Sequence, residues 1–203
     1  MTEQNGVEYI GLSSSELHGR NFDQETSRSA VGQPIGSFFV YEADGLFQSD
    51  AEIQNYKNDR GELLQPNAKP GDIRFKDLNG DGVINSDDRD FKGNPLPDCS
   101  MGLTLGFNYK NFDISSFFQG IFGNEVYNLT NYLGEFYNQA QYNKNSTILD
   151  AWRPDNTDTD IPRVTLDDQN NNIRPSTYYI HNASFVRLKN LKVGYTLPDK
   201  VAS

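Results

Sequence analysis

The most constraining feature of this sequence is a regular alternation of apolar and polar residues between Met101 and Ile121. Side chains of a β-strand point alternately to its two faces, so the pattern predicts strands with one apolar face and one polar face. The polar pair Lys110-Asn111 divides the stretch and predicts a tight turn. The apolar positions are Leu103, Leu105, Phe107 and Tyr109 in the first half and Phe112, Ile114 and Phe118 in the second. Residues 101–121 are therefore predicted to form an antiparallel β-hairpin.

Residues 184–198 form a second strand-like segment, in which the alternation changes phase. Leu191, Val193 and Tyr195 share one parity, whereas Val186 and Leu188 have the other parity. An extra residue in a strand shifts the alternation by one position, so a β-bulge or a tight turn near Asn190 would place both sets on one face.

Composition and charge limit which partners the chain could bind and which kind of segment could cross a membrane. The net charge of −10 repels the phosphate backbone of nucleic acids, so we expect no nucleic-acid partner. The 13 Phe and 11 Tyr residues favour strands and membrane interfaces. A transmembrane helix needs about 18 consecutive apolar residues, and no such run occurs, whereas transmembrane strands remain compatible with the sequence.

The chain divides into four segments by pattern. Residues 1–100 are predicted to hold a strand followed by a long loop, residues 101–121 the hairpin, residues 122–183 a second long loop, and residues 184–198 further strands. The second loop is rich in Asn and in aromatic residues, and loops of this length are usually functional. An alternative is a soluble β-sandwich in which these aromatic residues fill a core.

An acidic loop at residues 77–88 matches the spacing of a calcium-binding loop. Oxygen-bearing side chains on alternate residues of a curled loop converge on one point, and Gly82 permits the curl. The flanks differ from an EF-hand, since Pro95 and Pro97 prevent a long exiting helix. The alternative is a loop of Asx-turns without metal. The predicted Ca²⁺ ligands are Asp77, Asn79, Asp81, the carbonyl of Val83 and Asp88.

Catalytic motifs are not evident in the sequence. His18 and His181 are the only histidines, and each lies among polar loop residues without a partner at metal-binding spacing. Neither a Gly-x-Ser-x-Gly motif nor a Walker-type phosphate loop occurs. Cys99 is the single cysteine and is interpreted as structural. We therefore expect no enzymatic activity.

Short motifs in a fixed order give the chain a family resemblance. It resembles the SusC/RagA family of TonB-linked outer-membrane transporters over about residues 31–198. The segments that carry the resemblance are Val31–Phe39, Ala43–Gln48, Pro70–Gly82, Gly93–Asp98, Phe117–Gly120, Ala151–Pro154, Ile161–Arg163, Phe185–Asn190 and Gly194–Pro198.

The resemblance implies an all-β fold, in which antiparallel strands belong to a fragment of a large transmembrane β-barrel with long extracellular loops. Residues 1–203 would form a C-terminal part of a barrel of about 22 strands, without the N-terminal plug domain. The implied partners are a SusD-like lipoprotein, the TonB complex through the missing N-terminal part, an oligosaccharide or peptide substrate, and outer-membrane lipid. Tyr132, Phe136, Tyr137 and Trp152 in the second loop are the predicted contacts for partner or substrate.

The sequence is also compatible with a second class of function. The chain could be a soluble, secreted calcium-binding β module that acts in binding or adhesion. A module should close its own sheet, whereas a barrel segment should leave unpaired edge strands and an exposed apolar face. The two hypotheses therefore differ in whether the edges of the predicted hairpin are paired and whether its apolar face is covered.

Overall fold

The computed structural model describes residues 2–4, 7–13, 25–136 and 143–197, and most of its regular structure is antiparallel β-sheet. The expected all-β class is confirmed. The strands are β1 Thr2–Gln4, β2 Val7–Ser13, β3 Glu25–Ala30, β4 Ser37–Tyr41, β5 Ala43–Leu46, β6 Ile73–Phe75, β7 Arg89–Gly93, β8 Cys99–Tyr109, β9 Phe112–Phe122, β10 Glu125–Tyr127, β11 Ile180–Asn182 and β12 Phe185–Tyr195. The helical elements are α1 Asp50–Asn55, α2 Leu129–Glu135 and the 3₁₀ turns Ser86–Asp88, Ser146–Asp150 and Thr177–Tyr179.

The chain divides into two compact units. The loop unit consists of Met1–Gly93 and Val126–His181, and the strand unit consists of Asn94–Glu125 and Asn182–Ser203. Within the described ranges, no helix is both long and apolar enough to cross a bilayer.

The strand unit contains one antiparallel sheet with the order β12-β9-β8, and each of its strands is 11 residues long. β8 and β9 form the predicted hairpin, with Tyr109 opposite Phe112 at the turn and Cys99 opposite Phe122 at the far end. Lys110 takes the left-handed backbone conformation that the two-residue turn requires, with φ of 54°. The hairpin prediction is therefore confirmed.

β12 contains the predicted bulge. Leu188 lies opposite Phe118 and Asn190 lies opposite Phe117, so Lys189 is the extra residue. A bulge places two residues opposite one and changes the phase of alternation. Val186 and Leu188 therefore share a face with Leu191 and Val193, although the two pairs differ in sequence parity.

The resulting apolar face of the strand unit is open to solvent. About half or more of the surface of its central side chains is exposed, with 55% for Leu103, 63% for Phe107 and 65% for Val193. A continuous exposed apolar surface marks an interaction or membrane face, and strands of about 9–11 residues are long enough to cross a bilayer at a tilt. The members of the apolar face are Met101, Leu103, Leu105, Phe107, Tyr109, Phe112, Ile114, Phe118, Val186, Leu188, Leu191, Val193 and Tyr195.

The opposite face, which we call the polar face, carries small and hydrophilic residues. Gly194 leaves room there for the side chain of Asp113, which a Cβ atom at this position would displace. Three large apolar residues also lie on this face. Phe117 packs over Gly102, and Ile121 and Phe185 lie opposite each other at the end of the sheet away from the turn. The members of the polar face are Ser100, Gly102, Thr104, Gly106, Asn108, Asp113, Ser115, Phe117, Gln119, Ile121, Phe185, Arg187, Asn190, Lys192 and Gly194, with the bulge residue Lys189 beside Asn190.

The loop unit contains a five-stranded sheet with the order β1-β2-β3-β4-β7 and a separate pair formed by β5 and β6. Residues 1–100 thus contain more regular structure than one strand and a loop. β3 has the sequence Glu-Thr-Ser-Arg-Ser-Ala, which lacks apolar alternation, so pattern alone could not identify it. Backbone pairing to β2 and β4 holds this strand in the sheet.

The described residues of 122–183, which are 122–136 and 143–183, contain short helical and strand elements as well as loop. Phe136, Trp152, Ile173 and Tyr179 from this segment pack with the β5–β6 pair in one buried cluster. The cluster joins chain segments that are about a hundred residues apart in sequence. The members of the cluster are Leu46, Ile73, Phe75, Phe136, Trp152, Ile173 and Tyr179.

The two faces of the sheet give the first testable prediction. Replacing Leu105 by Arg should cost about 2–4 kcal/mol in folding free energy if this residue faces the middle of a bilayer, whereas Thr104→Arg on the polar face should cost less. The measurement is equilibrium unfolding of the protein in lipid bilayers. Equal costs at these neighbouring positions would contradict the assignment of the faces.

Candidate functional site

The acidic loop at residues 77–88 is closed by side-chain acceptors that bind its own backbone. One carboxylate oxygen of Asp77 accepts a hydrogen bond from the backbone N–H of Gly80 at 2.7 Å, and the other accepts from Gly82 at 2.8 Å. Asp81 accepts from the N–H of Val83 at 2.9 Å. These are Asx-turn contacts, in which short acidic side chains fix the curl of the loop.

Asp88 joins the two ends of the loop. Its side chain is completely buried, and it accepts hydrogen bonds from the backbone N–H groups of Leu78 at 2.8 Å and Asn85 at 2.7 Å. The Asn85 side chain in turn accepts from the N–H of Asp87, at the start of the 3₁₀ turn. A buried carboxylate requires such donors, so the sequence Asn85–Asp88 closes the loop.

The exposed oxygens of the loop determine what it could bind. Hydrogen bonds from the N–H of Val83 and then from the Asn79 amide lower the pKa of Asp81, which keeps its carboxylate ionised. Among the residues that the structure describes, no group of three or more His, Cys, Asp or Glu side chains is arranged to hold a metal ion. Calcium binding by Asp77, Asn79, Asp81, the Val83 carbonyl and Asp88 stays a prediction.

The predicted contact residues of the second long loop lie mainly inside the loop unit. Phe136 and Trp152 are 6% and 8% exposed and belong to the buried cluster, and half-buried Tyr132 packs against it with its ring centroid 6.0 Å from that of Tyr179. Tyr137 lies outside the described residues. A contact role for these four residues stays a prediction, and the packing of Phe136 and Trp152 leaves little of either side chain accessible.

Trp152 is held by specific contacts. Its indole N–H donates a hydrogen bond to the side-chain oxygen of Gln48 at 2.9 Å. Its ring lies against Gly71, where a Cβ atom would be 2.5 Å from a ring carbon. Gly71 also has a φ of 87°, so both the backbone conformation and the contact require glycine.

A buried polar network, centred on Asp72, connects β6 to the second long loop. Asp72 has no exposed surface, and its carboxylate accepts hydrogen bonds from the guanidinium of Arg163 at 2.6 Å and the amide of Asn172 at 3.0 Å. The Asn172 side-chain oxygen accepts from the backbone N–H of Ile73. Gln65 accepts from Phe75 and donates to Asn170. Sequence reasoning missed this network, although the run Asn170–Asn172 is a compositional signal for it.

The buried tyrosines of the loop unit have a structural role. Tyr178 donates a hydrogen bond to Glu135 at 2.5 Å, and burial together with this carboxylate raises the pKa of Tyr178. Burial also raises the pKa of Tyr127 and Tyr179. These phenols stay protonated at neutral pH. Tyr178 acts as a hydrogen-bond donor, and the rings of Tyr127 and Tyr179 act as packing groups.

The known proteins that are similar to this chain in sequence are described as TonB-dependent receptors. No family model matches the chain. TonB-dependent receptor P3 of Formosa agariphila is 37% identical over 181 residues, which cover 89% of this chain and 17% of the relative. TonB-dependent receptor SusC of Bacteroides thetaiotaomicron is 30% identical over 169 residues, covering 83% of this chain and 14% of the relative.

Solved structures agree with these relatives. The RagAB peptide transporter aligns with a TM-score of 0.61 at 25% identity, covering 97% of this chain and 19% of that chain. The RagAB peptide importer in its open-open state aligns over 100% of this chain and 19% of that chain with a TM-score of 0.63 at 24% identity. The latter supports the fold alone.

Three antiparallel strands of membrane-spanning length, with one exposed apolar face and one polar face, define a segment of a transmembrane β-barrel. The chain belongs to the TonB-dependent receptors of the SusC/RagA type, as the resemblance predicted. It spans less than a fifth of the length of the relatives that it matches.

The buried position of Asp88 generates a prediction about the acidic loop. Asp88→Ala should destabilise the loop by about 1–3 kcal/mol, because it leaves buried N–H groups without an acceptor. Asp81→Ala should cost less, because Asp81 is exposed and water can replace the hydrogen bonds that its carboxylate accepts. Hydrogen exchange at the Leu78 and Asn85 amides of the detergent-solubilised receptor measures both effects.

Calcium provides a separate test of the same loop. If the loop binds Ca²⁺ with the affinity of extracellular modules, with a Kd of about 10⁻⁴ to 10⁻³ M, calcium should slow exchange in the wild-type loop. The effect should be absent in Asp81→Ala, which lacks one oxygen ligand. Equal responses of the two proteins to calcium would leave only the Asx-turn interpretation.

The Asp72 network generates a third prediction. Asp72→Ala leaves the largely buried Arg163 guanidinium without its partner, so we expect a loss of about 3 kcal/mol or more. The matched control is Asp155→Ala, which breaks the exposed ion pair with Arg153 and should cost less than about 1 kcal/mol. Protease resistance of the loop unit across a urea series reports the difference, and similar curves for the two variants would contradict the central role of Asp72.

Proposed function

We propose that the chain is part of an outer-membrane importer, in which the strand unit contributes to the barrel wall. The observation that carries the proposal is the exposed apolar face on strands of 11 residues. A soluble module would cover such a surface, whereas lipid covers it in a barrel. This argument favours the importer over a secreted calcium-binding module.

Aromatic residues at one end of the sheet support the membrane placement. Tyr109, Phe112 and Tyr195 lie in register across the three strands beside the turn, and the ring centroids of Phe112 and Tyr195 are 4.7 Å apart. The ammonium of Lys110 lies 5.3 Å from the ring centroid of Tyr109. Transmembrane barrels carry such aromatic girdles where the bilayer meets water, so this end would lie at an interface.

The cargo and partners follow from the relatives as proposals. RagAB is described as a peptide transporter, which supports peptides as the proposed cargo. Oligosaccharides are the other cargo that the family resemblance implies. A SusD-like lipoprotein would bind on the extracellular side, and the TonB complex would act through a part of the receptor outside this chain. Import of this kind involves no chemical change of the cargo, in agreement with the expectation that the protein is not an enzyme.

The loop unit would meet the lipoprotein or the cargo. Phe136 and Trp152 would act indirectly, by fixing the shape of this surface from within. Accessible apolar groups in the same part of the chain are Leu149 and Leu166, with 71% and 74% of their surface exposed. Exposed apolar side chains are suited to contact with a protein partner.

Fractionation and uptake together test the proposed function. The receptor should be found in the outer-membrane fraction, and uptake of labelled oligosaccharide or peptide pools should require both the receptor and TonB. The double variant Leu149→Asp/Leu166→Asp should reduce co-purification of the lipoprotein, whereas the matched double variant Val31→Asp/Ile35→Asp, at other exposed apolar positions, should not. Normal uptake in cells that lack the receptor would refute the proposal.

A further inference from the structure

Strand β12 carries three cationic side chains on the polar face, those of Arg187, Lys189 and Lys192. Arg187 lies opposite Gln119, and Lys192 lies opposite Ser115. The bulge places Lys189 beside Asn190, opposite Phe117. The three cations of β12 therefore lie opposite alternate residues of β9. Since a strand rises about 3.4 Å per residue, neighbouring cations are about 7 Å apart.

The bulge is the cause of this arrangement. In a regular strand, residues an odd number of positions apart face opposite sides, so Lys189 and Lys192 would point away from each other. The extra residue changes the phase between them and brings both to the polar face. The same local irregularity that completes the apolar face thus also aligns the three cations.

These cations lack carboxylate partners within the described part of the chain. All three residues are exposed, and none of them forms an ion pair there. The guanidinium of Arg187 instead lies over the ring of Phe185. The one acidic residue among the paired strand positions of the polar face is Asp113, which lies opposite Gly194. This strip is therefore positively charged, although the chain as a whole carries a net charge of −10.

We propose that Arg187, Lys189 and Lys192 form a docking strip for an extended acidic peptide that the receptor carries as cargo. The inference rests on the proposed function, which would place the polar face inside the barrel. An extended peptide presents side chains on one face every second residue, at about 7 Å, so acidic groups at alternate residues match the spacing of the cations. The charge of the strip and the matching spacing of about 7 Å both favour an extended peptide with acidic residues at alternate positions.

The test uses synthetic peptides and the purified complete receptor. The probe alternates Ser and Asp, a neutral peptide replaces each Asp by Asn, and a third peptide has the composition of the probe with its Asp residues in one block. We expect the alternating acidic peptide to bind about tenfold more tightly than the neutral one and more tightly than the blocked one. Added salt should weaken this preference, because the cations are exposed.

Charge variants test the residues directly. In Arg187→Gln/Lys189→Gln/Lys192→Gln, the preference for the alternating acidic peptide should disappear. The control Lys57→Gln/Arg60→Gln/Lys69→Gln removes the same charge from exposed positions elsewhere and should keep the preference. If the triple variant fails to assemble, Lys189→Gln alone should reduce the preference severalfold, because it removes the central cation.

Two results would overturn the proposal. One is equal binding of acidic and neutral peptides by the wild-type receptor. The other is that the wild-type receptor binds none of the peptides and the triple variant has a lower Tm than the control variant. This result would indicate that the strip binds an acidic segment of the receptor itself. Either result leaves the proposed function intact as long as TonB-dependent uptake of other cargo persists, so the two failures are distinguishable.

Discussion

Backbone hydrogen bonding is the constraint on which the strand unit depends. In a bilayer, no water is available to replace a lost N–H or C=O partner, so a spanning strand must be paired along its length. β9 meets this requirement from end to end, because β8 pairs with it over 11 positions and β12 pairs with it on the other side. The outward edges of β8 and β12 are unpaired within the described residues, which is the arrangement expected for part of a larger barrel.

The loop unit is organised by burial of one charge instead. Asp72 has no contact with solvent, so it needs several donors, and Arg163 and Asn172 supply them from a segment about a hundred residues further along the chain. The aromatic cluster packs beside this network, with Trp152 over Gly71. Apolar packing supplies most of the contact area, and the polar network determines which segments meet.

Sequence patterns predicted the parts of the molecule that follow a simple period. The hairpin and the bulge near Asn190 could be derived because alternation reports directly on the two faces of a strand. β3 could not, because its side chains are mostly polar, and its backbone pairing and the contacts of Arg28 with Glu25 and Phe39 leave no apolar alternation in the sequence. The interior of residues 122–183 was missed because its folding depends on contacts distant in sequence, such as that between Asp72 and Arg163, which leave no local periodic signal.

The extra residue in β12 also has a consequence for the size of the barrel. A regular strand can slide by two residues along its neighbour and keep every side chain on its own face, so alternation alone does not fix the stagger. A bulge removes this freedom, because Lys189 must stay where the neighbouring strand passes from Phe118 to Phe117. Stagger and strand number together determine the tilt of the strands and the diameter of a closed barrel. In the closed barrel of the proposed importer, a single inserted residue in one strand would thereby contribute to the width of the barrel.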